Sequence, residues 1–336
     1  MLDVKWKVKK MKIAMIGTGA YSVALACVLA KKKENNIVLW TENKDNVKEF
    51  NKTHMLNNIF KGKKLTDNIS ITTSYEETLK DAGLIFIACV AKWVDDVCGF
   101  MRPYYKKEVP ICIASKGIEE TTGSFLSDIV KNVLDADNIA IISGPAFAID
   151  MINNEPIALA LAGTNQFTID IVKENLANDM LKLRECNDLI GIQICGSIKN
   201  VIAIASGMIK GLGYTESTLA FLINESLHDI KYLIYKLGGD KKTVLSYAGI
   251  GDLLLTCTSE KSRNYSFGYV VGSTKDSSKI KAFLKEHTVE GYYTLSSIYK
   301  LVRTNNIDLP IINLIYDIIM NGKDPYELPK FLIEKK

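Results

Sequence analysis

Two solitary charges of opposite sign stand in two otherwise apolar stretches. Across residues 189–209 the single formal charge is Lys199, and across residues 247–257 it is Asp252. The first stretch is apolar on nearly every side of a helical projection, so it is expected to form a buried helix. A buried ammonium is costly alone, and a fixed carboxylate offsets that cost. A lysine so held can set positive charge against an oxygen that turns negative during a reaction, and can give it a proton. Three ordinary explanations compete. Lys199 could run its stem out to water, and Asp252 could cap a helix starting at Leu253. The stretch could also cross a membrane, although Lys199 at mid-span would cost about 2.5–3.5 kcal/mol, with Gln193, Ser197 and Asn200 adding to it. Asn200 beside Lys199 suggests a wet concave spot in a protein without a transmembrane segment. The glycines at 191, 196, 207 and 211 suit close packing of that helix.

Further polar groups fit the same chemistry. Ser262-Arg263-Asn264 precedes a helical run at 267–271, and a guanidinium fork with helix N-terminal donors suits phosphate oxygens. A surface loop is the plain alternative for that tripeptide. Lys116 lies two residues past the end of a buried run at 111–114 and could point a cation into a crevice, or sit in a solvated loop. The three histidines (54, 228, 287) are scattered without metal-ligand spacing, and no serine–histidine–acid set is present, so no metal site is expected.

The elements that must position these groups begin with an apolar run at 12–16. Gly17-Thr18-Gly19-Ala20-Tyr21-Ser22, a helical stretch to about residue 33 and a second strand at 37–40 follow. This is the setting of a dinucleotide fingerprint: Gly17 for the tight turn, Gly19 for backbone approach to a pyrophosphate, and Ser22 where a third glycine is usual. Glu42, just past the second strand, can accept from a ribose 2′-hydroxyl and would repel a 2′-phosphate, which favours NAD over NADP; it could instead be a solvated helix-start residue. Apolar runs at 69–72, 84–90, 111–114, 139–142, 157–162 and 181–185 alternate with helical stretches near 44–50, 76–80, 94–104 and 123–133. The alternation predicts an α/β, doubly wound, Rossmann-like and mostly parallel sheet. After Asp188, a plausible helix cap, the pattern becomes all-α, with an amphipathic helix at 218–237. The expected division is an extension over 1–10, a dinucleotide-binding domain over 11–188 and a helical substrate-binding domain over 189–336.

Composition sets bounds. A net charge of +4 over 336 residues is too mild to argue for nucleic acid. Seven cysteines without C-x-x-C spacing, mostly in apolar runs, fit a reducing cytosol. The basic start followed by an apolar run to Cys27 imitates a lipidated signal peptide, but Ala24 stands where leucine is usual and the glycine pattern explains the run better.

Taken together, IGTGAYSVALA, ASKGIEETTG, ISGPAFA, GSIKNVIAIASGM, GIGDLLLTCTSEKSRN with a following FG, and VEGY resemble the bacterial-type NAD(P)-dependent glycerol-3-phosphate dehydrogenases, in the family's order, from about residue 12 to about 322. The resemblance implies reversible reduction of dihydroxyacetone phosphate to sn-glycerol 3-phosphate, for glycerophospholipid synthesis, in a cytoplasmic homodimer using NAD or NADP. It implies Lys199 as acid/base with Asp252 beside it, ordered by Asn200 and Thr256. It implies substrate contacts from Lys116, Gly144, Ala146, Ser262, Arg263 and Asn264. Cofactor contacts follow for Ala20, Tyr21, Glu42, Lys116, Ala148, Arg263, Thr288 and Glu290. The chain departs from the family where Ala146 replaces Ser or Thr and where Val90-Ala91-Lys92 replaces V-P-S/T. Glu42 stands where many relatives carry Arg or His for NADP. Two rivals remain: a dehydrogenase for another small phosphorylated or carboxylated ketone, and a non-catalytic NADH sensor. The sensor has no need of both Lys199 and Asp252.

Overall fold

The computed structural model describes residues 10–119, 122–274 and 276–334. Apart from Lys10, the extension expected over 1–10 lies outside the described residues. Eight short apolar runs become β1 (Met11–Ile16), β2 (Asn35–Trp40), β3 (Ile69–Thr72), β4 (Leu84–Ile87), β5 (Ile111–Ile113), β6 (Ile139–Ser143), β7 (Ile157–Gly163) and β8 (Leu181–Glu185). They form one sheet in the order β3-β2-β1-β4-β5-β6-β7-β8. Every neighbouring pair is parallel except β6 with β7. The fold is therefore the expected mostly parallel α/β sheet joined to helices, with one reversal that apolar runs do not reveal. Helices cover both faces of the central strands, which explains their near-continuous Ile, Leu, Val and Ala content.

Several element boundaries differ from those the sequence pattern suggests. The run expected to 90 stops pairing at Ile87, because the chain turns away into the single turn Ala91–Trp93. The first helix ends at Leu29 rather than near residue 33, and the helix expected over 94–104 ends at Met101. The helix expected from 123 begins at Leu126.

The helical half is built round Leu189–Gly211, whose N-terminus Asp188 caps by accepting from the Gly191 N–H at 2.8 Å. This helix has the length and apolarity to cross a membrane, but nearly all of it is buried inside the protein. Its closest partner is the helix Arg263–Ser273. Glycines on both sides make that approach possible. A Cβ on Gly207 would collide with the Tyr265 carbonyl, and one on Gly268 with the Ile204 carbonyl; Gly211 and Gly272 repeat the pattern one turn on. Even a single methyl forced into such a contact costs about 1–3 kcal/mol. The residues before the second helix are thereby held against the middle of the first. A distorted turn, Tyr247–Gly251, breaks at Gly249 and leads into the short helix Asp252–Cys257, which also packs on Leu189–Gly211.

Candidate active site

Lys199 points from the middle of the buried helix and does not reach solvent; its side chain is 9% exposed. Its Nζ donates to Asp252 Oδ1 at 2.5 Å and to Thr256 Oγ1 at 3.1 Å. The other carboxylate oxygen of Asp252 accepts from Lys116 Nζ at 2.7 Å. Asp252 is the first residue of its helix and its carboxylate makes no cap; both oxygens are taken by lysines. Thr256, one turn on, donates to the Asp252 carbonyl at 2.6 Å, which leaves its lone pairs to Lys199. Lys116 arrives on the loop after β5, its ammonium 5.6 Å from the centre of the Tyr21 ring. Three segments distant in sequence thus meet at the carboxyl ends of the strands, where parallel sheets present ligands.

Two ammonium groups share one carboxylate, and their proton affinities separate. Burial lowers the pKa of Lys199 to about 8; the charge of Lys116 adds to that, and Asp252 offsets only part of it. Lys116 also loses water, but Asp252 and Tyr21 more than compensate and hold it above the usual lysine range. Asp252 is kept below the usual carboxylate range, its burial overcome by the two cations. At neutral pH the cluster carries one net positive charge and one ammonium that releases its proton readily.

A second network stands beside it. Asn200 donates to Glu290 Oε2 at 3.3 Å, and its carbonyl accepts from Asn264 Nδ2 at 3.0 Å. Asn264 Oδ1 in turn accepts from the Gly291 N–H at 2.8 Å. Gly291 lies so close to the Asn200 and Asn264 oxygens that a side chain there would strike both. Ser262 caps its helix by accepting from the Tyr265 N–H at 3.3 Å, which leaves Arg263 as the first helical residue. Arg263 is exposed and makes no hydrogen bond or ion pair among the described residues.

The glycine turn fits a dinucleotide. Gly17 has φ of +119°, and a Cβ there would lie 2.9 Å from the Ala88 carbonyl oxygen, so a side chain is excluded. Gly19 precedes the helix Ala20–Leu29, whose first N–H groups receive no side-chain cap, and a Cβ on Gly19 would meet nothing nearer than Ser22 Oγ at 3.9 Å. This open cradle of N–H donors suits a diphosphate. Ser22 does the packing work of a third glycine while donating to the Ala88 carbonyl at 2.6 Å. The Tyr21 hydroxyl is buried without a partner, and its pKa is pushed up to about 12 by burial; the charge of Lys116 opposes that rise and the charge of Asp252 adds to it.

Among the described residues, no side-chain hydrogen bond or ion pair ties Gly144, Ala146, Ala148, Glu42 or Thr288 to the three charges. Gly144 is required by β7, since a Cβ would strike the Ala158 carbonyl, and Pro145 after it touches the space beside Gly251. Ala146 is buried, and Ala148 opens a short helix that packs on Ala20–Leu29. Glu42 is exposed past the end of β2, and the cap of the following helix is Asn43, which accepts from the N–H groups of Asp45 at 2.8 Å and Asn46 at 3.3 Å. Thr288 is exposed and touches no other site residue through a hydrogen bond. Sequence reasoning paired Asp252 with Lys199 alone and missed Lys116 as its other partner. It also gave no role to Ser143, a buried hydroxyl without a partner at the end of β6, which lies against Gly196. Its place at a strand end, inside the Ser-Gly-Pro motif, was the available signal.

Comparison with known proteins bears directly on this arrangement. Residues 12–169 match the model of the NAD-dependent glycerol-3-phosphate dehydrogenase N-terminus, and residues 188–330 match that of the C-terminus. A glycerol-3-phosphate dehydrogenase [NAD(P)+] of Staphylococcus epidermidis is 31% identical over 327 residues, 96% of this chain and 98% of that protein. The crystal structure of glycerol-3-phosphate dehydrogenase from Coxiella burnetii superposes with a TM-score of 0.91 at 29% identity, covering 97% of this chain and 99% of that one. A D-mandelate dehydrogenase shares the fold more distantly, with a TM-score of 0.63 at 14% identity. With both halves matched in order over nearly its whole length, the chain belongs to the NAD-dependent glycerol-3-phosphate dehydrogenase family of oxidoreductases.

Proposed function

We propose that the chain reversibly reduces dihydroxyacetone phosphate to sn-glycerol 3-phosphate, with Lys199 as the acid/base. The observation that carries this reading is the carboxylate of Asp252 shared by Lys199 and Lys116 at the strand ends. A bound nicotinamide dinucleotide supplies the hydride, or takes it back in the reverse direction. Gly17, Gly19, Ala20 and Tyr21 would hold it on one side, with Ala148, Thr288 and Glu290 around it. Lys199 donates a proton to the ketone oxygen as negative charge gathers there, and Lys116 adds a second positive charge. Asp252 and Thr256 fix the ammonium before substrate arrives, so little reorganisation accompanies the reaction. The free guanidinium of Arg263, with Ser262 and Asn264 beside it, suits the substrate phosphate. Gly144 and Ala146 would line the substrate side; Ala146 offers no hydroxyl.

The division into a dinucleotide-binding part (11–188) and a substrate-binding part (189–336) belongs to the same reading. So does a preference for NAD, supported by the exposed carboxylate of Glu42 at the end of β2. A cytoplasmic setting is supported by the seven free thiols. A homodimer is the expectation from the family resemblance, and light scattering at twice the chain's mass tests it. The function is tested by following NADH and NADPH absorbance with dihydroxyacetone phosphate. Faster turnover with NADH is expected; no decay of either cofactor would refute the activity, and equal efficiency would remove the preference.

A further inference from the structure

We infer that Lys92 is a phosphate-binding cation at the mouth of the cleft, drawn in by the diphosphate of the bound dinucleotide. The inference rests on the dinucleotide reading above. Lys92 lies in the turn Ala91–Trp93, just past the end of β4. β4 neighbours β1 where the strand order reverses, the position at which sheets of this type bind ligands. The same segment closes the glycine turn, since the Ala88 carbonyl stands against both Gly17 and Ser22.

Lys92 is exposed and has no carboxylate partner among the described residues. Its ammonium lies instead over two rings, 4.9 Å from the centre of Trp93 and 5.2 Å from that of Tyr293. Trp93 belongs to the sheet half. Tyr293 belongs to the helix Glu290–Thr304, three residues after Glu290. The cation therefore stands between a ring of the sheet half and a ring of the helical half. Rings hold an exposed ammonium by only about 0.5–1 kcal/mol, and they leave its charge intact. A diphosphate is the stronger partner, because its bond to an ammonium is charge-assisted. The glycine turn itself offers neutral N–H donors, so a neighbouring cation supplies what the turn lacks. Lys92 stands in the Val90-Ala91-Lys92 that replaces the V-P-S/T common in the family.

The test uses the intact protein, Lys92→Ser and Lys92→Met. Each is titrated with ADP-ribose by calorimetry and with NADH by fluorescence, at low and high salt, with sn-glycerol 3-phosphate as a third ligand. The expected result is that ADP-ribose and NADH both weaken roughly three- to tenfold in the two variants. The difference should shrink at high salt, with glycerol phosphate affinity and melting temperature unchanged. Unchanged ADP-ribose affinity would overturn the inference. Weakening of glycerol phosphate alone would also overturn it, because the cation would then serve the substrate. If the unaltered protein binds neither NADH nor ADP-ribose, the dinucleotide reading itself fails.

Discussion

The floor and the rim of the cleft are built differently. On the floor, Lys199, Lys116 and Asp252 are side chains no more than 14% exposed and already bonded to one another. Around the rim, Arg263, Glu42, Thr288 and Lys92 are exposed. Burying three charges is expensive, and only a closed set of bonds among them keeps that cost bearable. An arrangement kept despite its cost is ready before a ligand arrives. The rim groups are solvated, and on the proposed function they would acquire fixed partners only when a ligand binds. On the proposed function, variants of the floor are therefore expected to change rate and variants of the rim to change affinity.

The largest effect should come from emptying the floor. Lys199→Ala is expected to lower kcat by about 10³-fold or more while NADH still binds, as steady-state rates and fluorescence titration would show. Wild-type-like turnover would end the contrast. Asp252→Asn should cost about 10²-fold in kcat and should move the pH profile too. In glycerol phosphate oxidation Lys199 must start unprotonated, so the rate rises with pH through its pKa of about 8; in ketone reduction it must start protonated, so the rate falls through the same pH. Asp252→Asn removes the anion that favours the ammonium, and the midpoint should move down. Lys116→Met removes a like charge and should move it up. A midpoint unmoved by either variant would show that Lys199 is not the titrating group. On the rim, Arg263→Ala should raise the KM for dihydroxyacetone phosphate by roughly 10–100-fold with a smaller change in kcat. A loss confined to kcat would place Arg263 with the floor. The smallest effect is expected from Glu42→Arg, which should shift the NADPH/NADH efficiency ratio upward by about tenfold and leave kcat with saturating cofactor unchanged.

Much of the floor could be read from the chain because solitary charges in apolar runs have few places to go. Lys199 and Asp252 were conspicuous for that reason, and their pairing needed no knowledge of the fold. Lys116 was not, because it follows a strand like many solvated loop lysines, and its bond to Asp252 depends on how the break at Gly249 aims a later helix. The strands were legible from short apolar runs, yet those runs carry no direction, so the antiparallel step from β6 to β7 was invisible. The Rossmann-like start was legible because Gly17 and Gly19 answer to backbone geometry rather than to distant neighbours. The Asn200–Asn264–Gly291 chain of bonds is the opposite case: each residue is ordinary alone, and only the helix packing brings them together.

That packing has a consequence for what the protein can accept. Between the helix bearing Lys199 and the helix opening at Arg263, main chain meets main chain at Gly207, Gly211, Gly268 and Gly272, and the Asn200–Asn264 bond ties the two helices at the end nearest Arg263. If Lys199 gives the proton and Arg263 seats the phosphate, as proposed, the span between their backbones behaves as a gauge cut into the scaffold. A ketone one carbon longer or shorter would have to be measured against it, and trading side chains around the pocket would not reset the length.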